Sequence, residues 1–455
     1  MNEITLVDID RCFGGAIPAV LATAGPDGTP NATYLSRAHR VDDERIALSN
    51  QFMSKTARNL AVNPMASLLL MDPVTHDEFR LTLRYERTER RGTTFERLRA
   101  DVEALASLQG MQGVFRLRAA DVFRVLDIER IEPNPAGTVV IPTPARVAAS
   151  DIHALARIAA AISRAGDLDV LVDIALDALA RELRYGHSVL LLADDTSRTL
   201  YTIASRGFDR QGVGAEVRFG DGLIGLVAER CEPIRIAALG QTAKYAGAVR
   251  RGFEDDGAVL REVPLPTLPD SQSRIAVPCT STGSLIGVLV VDSPDIAAFG
   301  PDDETLLGIV AALIAGSIVA VRSLDNEIDP APALVDRERA TPAPGDAPRL
   351  AIRFYPADGS VFIDGEYLVK GAAGRILWSL LRQYTAEGRT EFTNREVRRD
   401  PSLELPGFKD NFESRLILLK RRLEERCVPL VIERTARGRF RLAVSGSIEL
   451  ETAAG

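Results

Sequence analysis

Two proline-rich stretches divide this 455-residue chain into three blocks, and they constrain its fold more than any other feature. The first lies at 134–144. The second, at 325–348, is rich in proline, alanine and charge, a composition typical of a semi-extended linker. A chain of this length is too long for one core and predicts about three domains. We therefore expect domains at 1–135, 150–325 and 349–445, with a linker at 326–348.

The charge of the chain is unevenly distributed. Residues 349–445 contain 19 Lys and Arg against 13 Asp and Glu, a net charge of +6, while the whole chain has −8 and the remainder therefore −14. Such an asymmetry predicts a nucleic-acid-binding domain joined to acidic partner domains. An average charge of −8 alone would have argued against nucleic acid.

Cysteine usage and hydropathy predict a cytoplasmic protein. The four cysteines, Cys12, Cys231, Cys279 and Cys427, have neither a CxxC motif nor a spacing with histidine that suits zinc. The N-terminus lacks a signal-peptide pattern, and no apolar run approaches the roughly 18 residues that span a bilayer. The longest such run, at 306–321, contains two glycines and is interpreted as a packed helix.

The first block reads as strands with one or two helices. Apolar alternation at 19–23, a turn at 25–28 and a second run at 30–36 are typical of a β-hairpin. A short helix at 50–60 carries Ser54, Lys55 and Arg58 near its start, where a hydroxyl and two cations can hold a phosphate. The alternative is that Lys55 and Arg58 form only a solvated helix face.

Motifs around this helix point to a known family. Ser49-Asn50, Ser54-Lys55 and Asn59-Leu60 follow one another at intervals of three residues, and Asn-Pro-x-x-Ser-Leu comes at 63–68. This order resembles the pyridoxamine-phosphate-oxidase-like split-barrel superfamily, many of whose members bind flavin mononucleotide (FMN). The resemblance implies five cofactor-binding candidates: Asn50, Gln51, Ser54, Lys55 and Arg58.

Two departures argue against oxidase activity. The arginine with which the family contacts flavin falls at Thr33, and the family's substrate-binding C-terminal arm has no counterpart before Pro135. FMN, haem or no cofactor therefore remain open for this block. His39 and His76 are further candidate cofactor contacts, although a lone histidine in a hairpin or loop is more often an ordinary surface residue.

The second block opens with an amphipathic helical stretch interrupted at Gly166-Asp167 and closes with a helix at 302–321. Strand-like runs lie between them, and Gly222, Gly225 and Gly287 suggest close backbone approaches. This order resembles a GAF domain, which implies a small-molecule pocket and helices that dimerise. Candidate anion contacts are Tyr245, Arg250, Arg251 and Arg274; the alternative is a solvated loop over an empty pocket. Cys231 and Cys279 are more often buried apolar residues than redox sensors.

The third block is predicted to contain a hairpin, three helices and a closing hairpin. The last helix, at 410–425, directs Leu416, Leu419 and Leu423 inward, and the closing hairpin, at 430–443, has four arginines within eight residues. The residues after 445 are expected to form a disordered tail. Because a basic helix can enter the major groove while a basic hairpin reaches phosphates, the pattern favours DNA binding; the alternative is a solvated helix end.

This order resembles the winged-helix domain of response-regulator transcription factors. One departure is Gly438-Arg439-Phe440, which replaces a Gly-x-Gly-Tyr sequence. The resemblance implies that DNA is contacted by seven residues: Arg415, Lys420, Arg421, Arg422, Arg434, Arg437 and Arg439.

Taken together, the sequence predicts a multidomain α+β protein: a split β-barrel, a GAF α/β sandwich and a winged helix-turn-helix. We expect a one-component, ligand- or redox-responsive transcriptional regulator that binds double-stranded DNA through the winged helix. We also expect a homodimer, formed mainly by the helices at 151–183 and 302–321. The alternatives are an FMN-dependent oxidoreductase with a regulatory GAF domain, and a scaffold whose pockets are empty.

Overall fold

The computed structural model is multidomain and mixed α+β, as the sequence predicts. It describes the following residues: 4–15, 17–51, 54–108, 116–131, 151–194, 196–239, 263–327, 349–400, 403, 412–426, 428–436 and 438–453. Most of the predicted linker, 328–348, lies outside them.

The first domain is a curled seven-stranded antiparallel sheet in the order β2-β1-β5-β6-β7-β4-β3. Its elements are β1 (Ala19–Ala24), β2 (Pro30–Leu35), β3 (Ala38–Arg40), β4 (Arg45–Asn50), α1 (Ser54–Val62), β5 (Met65–Met71), β6 (Glu78–Glu89), α2 (Thr93–Leu108) and β7 (Ala119–Ile131). The predicted first hairpin is confirmed: Asp27 accepts a hydrogen bond from the Thr29 amide, and Gly28 has a φ of +79°. Inward residues such as Leu21, Leu48 and Leu81 are fully buried and form the core.

The second domain has a six-stranded antiparallel sheet in the order β10-β9-β8-β13-β12-β11. Its elements are α3 (Asp151–Ile162), α4 (Leu168–Glu182), β8 (His187–Asp194), β9 (Thr199–Arg206), β10 (Glu216–Arg218), α5 (Gly222–Arg230), β11 (Ile234–Ile236), β12 (Ser273–Ser281), β13 (Ser284–Ser293) and α6 (Pro301–Glu327). Side chains alternate between the two faces of β8, so Leu190 packs with α3, α4 and α6 while Leu191 packs with α5. Helix α2 of the first domain joins α5 on that second face through Ala100 and Ala104.

Two local predictions in the second domain are confirmed. The break between α3 and α4 falls at Gly166-Asp167, and Asp167 caps α4 by accepting a hydrogen bond from the Asp169 amide at 2.8 Å. A Cβ atom on Gly287 would lie 2.1 Å from the carbonyl oxygen of Leu191, so only glycine allows β13 to lie this close to β8.

Helix α6 is the one helix among the described residues that is long and apolar enough to cross a membrane, over Pro301–Ser323 with a mean hydropathy of 2.2. Its residues Leu307, Val310, Ile314 and Ile318 follow helical spacing and are fully buried against the rest of the second domain. One face of this helix therefore packs in the core, as expected for a packed helix, and 39% of its most apolar window is buried. The expectation that no apolar run approaches the length of a membrane span is wrong, because Pro301–Ser323 reaches 23 residues.

The third domain contains two small sheets and three helices. Its elements are β14 (Arg349–Tyr355), β15 (Ser360–Ile363), β16 (Glu366–Val369), α7 (Gly371–Glu387), β17 (Glu391–Thr393), α8 (Asn394–Arg398), α9 (Phe412–Glu425), β18 (Leu430–Ala436), β19 (Arg439–Val444) and β20 (Ser447–Thr452). The sheets have the orders β16-β15-β14-β20 and β17-β19-β18. Thr393 and Glu396 form a capping box that starts α8.

The expectation of a disordered tail after residue 445 is wrong. Residues 447–452 form β20, which pairs in parallel with β14. Ile448 and Leu450 are half-buried against the core, while Glu449 and Glu451 pair with Arg349 and Arg353 of the neighbouring strand. This two-residue alternation is short, and without its partner strand it resembles an ordinary polar terminus.

Candidate nucleic-acid interface and cofactor site

Helix α9 buries one face in its own domain. Leu416, Leu419 and Leu423 lie on this face and are buried, as the helical spacing predicts. Arg422 also points inward: its Nε donates to the carbonyl of Leu368 at 3.0 Å, and its Nη1 lies 2.7 Å from Glu425. The structure thus places Arg422 in a supporting position, away from the other cations of this helix.

Four of the predicted DNA-binding cations converge on one surface. Arg415, Lys420 and Arg421 come from α9, and Arg434 comes from β18. We call these four residues the basic surface. In this structure the basic surface faces four carboxylates of the second domain, which we call the acidic surface: Asp167, Asp169, Asp173 and Asp194.

The contacts between the two surfaces are short and charge-assisted. Lys420 Nζ lies 2.7 Å from Asp169 Oδ2, and Arg421 Nε lies 2.7 Å from Asp169 Oδ1. Arg421 Nη2 also lies 2.8 Å from Asp173 Oδ1. Arg415 Nη2 lies 3.2 Å from Asp194, and Arg434 pairs with Asp167 and with Glu413 of its own domain. Asp169 is the centre of this network because it accepts from two cations.

The network shifts the proton affinity of its members. Burial acts to raise the pKa of Asp169, but Arg421 and Lys420 outweigh it and hold that pKa below its usual value. Burial acts to lower the pKa of Lys420, and Asp169 reverses this and raises it. Both groups are therefore charged at neutral pH, and each stabilises the charge of the other.

A second face of α9 is buried and contacts the second domain at Ser414. Ser414, Ile417 and Leu418 have exposures of 0%, 6% and 7%, and the two apolar residues belong to one cluster with the core of the second domain. Arg322 at the end of α6 donates to Ser414 Oγ at 2.8 Å. Sequence reasoning missed this contact; the unused apolar pair Ile417-Leu418 was the signal for it.

Two of the seven predicted DNA-contacting residues remain, Arg437 and Arg439. Arg439 is half-buried on β19, opposite Ala436 of β18. Arg437 lies outside the described residues.

The predicted cofactor residues lie at the end of β4 and on α1. Asn50 donates to Asp121 at 2.8 Å, and Gln51 accepts from Ser36 Oγ at 2.9 Å. Gln51 is 7% exposed, yet its Nε2 donates to no described residue. A buried amide donor without an acceptor is costly, so this atom is suited to an acceptor that a bound molecule provides.

Ser54, Lys55 and Arg58 are exposed on the first turns of α1. Neither Lys55 nor Arg58 forms an ion pair with a residue that the structure describes. Two cations at a helix start that form no ion pair with a described residue fit a phosphate group. His76 lies in a turn with a φ of +60°, and burial lowers the pKa of His39 to about 4, so His39 is neutral at neutral pH.

The predicted anion contacts of the second domain are only partly visible. Arg274 is paired with Asp292 on the neighbouring strand, with Nε and Nη2 at 2.6 and 2.8 Å from its two oxygens. Tyr245, Arg250 and Arg251 lie outside the described residues. Burial raises the pKa of the Cys279 thiol to about 12, whereas Cys231 is exposed.

A polar cavity of about 340 Å³ lies between the first and second domains. Charged side chains of both signs line it, among them Arg40, Arg97, Asp101, Glu232, Arg235 and Glu304. Arg97 of α2 binds Glu304 of α6 through two hydrogen bonds of 2.6 and 2.5 Å, so a contact between the domains forms part of the cavity wall. Burial and the neighbouring carboxylate of Glu304 raise the pKa of Glu232, although Arg97 opposes them.

Comparison with known proteins identifies two of the domains. Residues 9–141 match the family model described as pyridoxamine 5'-phosphate oxidase, and residues 167–318 match the GAF domain model. The chain therefore contains a pyridoxamine-phosphate-oxidase-like domain followed by a GAF domain, and these two predicted resemblances are confirmed. The search of curated proteins found no match.

Several solved structures resemble parts of the chain. The GAF domain of an Acinetobacter phosphoenolpyruvate-protein phosphotransferase is 21% identical, over 39% of this chain and 97% of its own, with a TM-score of 0.31. A free methionine-R-sulfoxide reductase from Neisseria meningitidis is 20% identical over 41% of this chain and 98% of its own, with a TM-score of 0.31. An FMN-binding protein from Syntrophomonas wolfei is 17% identical over 28% of this chain and 88% of its own, with a TM-score of 0.25.

Proposed function

We propose that this protein is a one-component transcriptional regulator whose third domain is a winged helix that binds double-stranded DNA. The observation that supports this most is the convergence of Arg415, Lys420 and Arg421 on α9 with Arg434 on the following hairpin. A helix and a hairpin that share one basic surface suit the major groove and the adjacent phosphates. The net charge of +6 on residues 349–445 supports the same proposal. Such a role places the protein in the cytoplasm.

The two preceding domains would supply the sensing. GAF and pyridoxamine-phosphate-oxidase-like domains make ligand sensing plausible, and the cavity of about 340 Å³ between them has the position and size of a small-molecule site. Its lining of both signs of charge suits a small polar ligand. Helix α6 borders the cavity at Glu304 and reaches α9 at Arg322, so one helix contacts both places.

The DNA-binding proposal is tested with the full chain and a fluorescein-labelled duplex of mixed sequence, followed by anisotropy at increasing salt. We expect binding whose affinity falls steeply with salt, because phosphate contacts release counterions. The change Arg437→Ala with Arg439→Ala should weaken binding to all sequences and flatten this dependence. Arg91→Ala, an exposed cation of the first domain, is the control. If neither the wild-type chain nor a variant with a released basic surface (described below) binds at low salt, the proposal is wrong.

We also propose that the first domain binds FMN, with Lys55 and Arg58 at its phosphate and Gln51 donating to the bound molecule. When bound, FMN would supply redox chemistry. The alternative function, a flavin-dependent oxidoreductase, therefore depends on the same binding test. Lys55→Ala and Arg58→Ala should each weaken binding by about 1.5–3 kcal/mol, the usual value of a charge-assisted contact. Quenching of flavin fluorescence measures this, again with Arg91→Ala as the control. No quenching at high protein concentration would contradict the proposal.

A further inference from the structure

The basic surface cannot contact DNA in the conformation that the structure describes. Arg421 uses Nε for Asp169 and Nη2 for Asp173, and Lys420 uses its ammonium group for Asp169. These are the donor atoms that a phosphate or a base edge would require. Carboxylates of the second domain therefore occupy the positions that DNA would take.

Burial leads to the same conclusion independently of charge. Residues 414, 417, 418 and 421 lie on one face of α9 by helical spacing. Ser414, Ile417 and Leu418 are at most 7% exposed, and the Arg421 side chain is 10% exposed. A helix can enter a major groove about 12 Å wide only if its leading face is free. Here Arg322 contacts Ser414, and Asp169 and Asp173 contact Arg421, so residues of the second domain occupy this face.

The contact extends beyond the five ion pairs between the two surfaces. Arg322 of α6 donates to Ser414, and the Gly212 amide donates to Glu425 at 3.1 Å. Lys370, just before α7, lies 2.8 Å from Glu216 of β10. Three separate segments of the second domain thus contact the third domain at or near α9.

We propose that the acidic surface of the GAF domain is a built-in competitor of DNA, which docks on α9 and β18 and keeps the regulator closed. This inference rests on the proposed DNA-binding function. It adds that four carboxylates, those of Asp167, Asp169 and Asp173 around the start of α4 and that of Asp194 on β8, take the place of phosphates at the basic surface.

The interactions are of a kind that can be reversed. Partly exposed ion pairs are individually weak and are screened by salt. Their number, and the covalent link between the domains, keep the closed form populated, because an intramolecular partner acts at a high effective concentration. A ligand that binds the open form more tightly would shift the balance towards DNA binding.

The test compares DNA affinity of the full chain with that of Asp169→Asn combined with Asp173→Asn. Asparagine keeps the shape of both side chains and removes the charges that hold Lys420 and Arg421. We expect DNA binding to become tighter, by about 5- to 150-fold, the usual range for coupling between two sites.

The matched control is Asp221→Asn with Asp295→Asn. Both residues are exposed in the same domain, and neither forms an ion pair with a described residue, so the net charge changes equally without touching the acidic surface. Equal gains of affinity in the control and in the Asp169/Asp173 variant would show a general charge effect and would overturn the proposal.

A second measurement separates docking from DNA binding. Ile417→Cys places a thiol on the covered face of α9, and its rate of alkylation, read by peptide mass mapping, reports opening without DNA. We expect slow alkylation when Ile417→Cys is the only change, and faster alkylation when it is combined with Asp169→Asn and Asp173→Asn. Faster alkylation without any DNA binding would support docking and refute the DNA function. Unchanged alkylation together with equal DNA affinities would overturn docking and leave the DNA function standing.

Discussion

The buried ion pair between Arg37 and Asp101 offers a direct test of how much a buried charge pair stabilises the first domain. Its Nε–Oδ2 distance is 3.2 Å, and the two side chains are only 7% and 4% exposed. Arg37 also donates to the carbonyl of Gly14 in its own domain and to that of Arg235 in the GAF domain, the latter at 3.2 Å. The guanidinium group therefore links three segments, and Asp101 supplies its only charge partner within hydrogen-bonding distance among the described residues.

Asp101→Asn keeps the shape of the side chain and removes its charge. Breaking a buried pair by neutralising one partner costs about 3–5 kcal/mol, because the other charge stays buried without compensation. The two carbonyl contacts of Arg37 survive the change, and the polar cavity nearby admits some solvent. We therefore expect a loss at the lower end of that range, about 3 kcal/mol.

The pKa of Asp101 gives the pH dependence of this loss. Burial acts to raise it, but Arg37 and Arg97 outweigh burial and hold it below the usual 3.8. A carboxyl whose pKa is lowered by folding contributes stability above its unfolded value and loses it as pH falls through the folded value. The difference between wild type and Asp101→Asn should thus be full at neutral pH and shrink only below about pH 4.

Calorimetry of the full chain measures this loss. It is chosen because the domains need not unfold in one step, and calorimetry resolves separate transitions. The transition that includes the first two domains should move to lower temperature. Glu129→Gln is the control, because it breaks the pair with Arg80, in which both partners are 53% exposed. Such an exposed pair is worth at most about 1 kcal/mol. If the free energy of unfolding of Asp101→Asn lies within about 0.5 kcal/mol of the wild-type value, as for an ordinary surface change, the argument from burial is wrong.

Three further predictions concern packing, reactivity and assembly. Gly287→Ala should destabilise the GAF domain by about 1–3 kcal/mol, because its Cβ would meet the Leu191 carbonyl, whereas Gly308→Ala, with nothing within 4 Å of its Cβ, should not destabilise it; thermal unfolding checks both. Cys231 should be alkylated in the native protein and Cys279 only after unfolding, and mass mapping that finds Cys279 modified first would contradict this. The full chain should be a homodimer by light scattering, because Ile152, Val170 and Ile309 expose apolar surface on α3, α4 and α6; a monomer at tens of micromolar would exclude it.

Elements that depend on neighbours in the sequence could be predicted well. Asp167 caps α4, Thr393 and Glu396 start α8, and the turn at 25–28 closes the first hairpin, because each uses hydrogen bonds within a few residues. Strand β20 could not be predicted, since its stability depends on pairing with β14 almost 100 residues earlier.

The candidate sites show the same division. The basic residues of α9 and β18 could be found from composition and spacing alone. Their pairing with Asp167, Asp169, Asp173 and Asp194 depends on how two domains sit against each other, which no local pattern records. The polar cavity was missed for the same reason, since Arg97 and Glu304 come from different domains and each looks like an ordinary surface charge in the sequence.

The proposed competition between the acidic surface and DNA leads to a last prediction, on the salt dependence of DNA binding. DNA binding that neutralises Z phosphates gives log K a slope of about −0.9Z against log salt concentration. The closed wild-type protein must first exchange its carboxylate partners for phosphates, so it releases fewer counterions for the same final contacts. Asp169→Asn with Asp173→Asn starts with those cations free and should show a slope steeper by about one to two units. Anisotropy titrations at several salt concentrations give both slopes, and the Asp221→Asn with Asp295→Asn control should run parallel to wild type. Parallel lines for all three proteins would mean that the acidic surface does not compete with DNA for the basic surface.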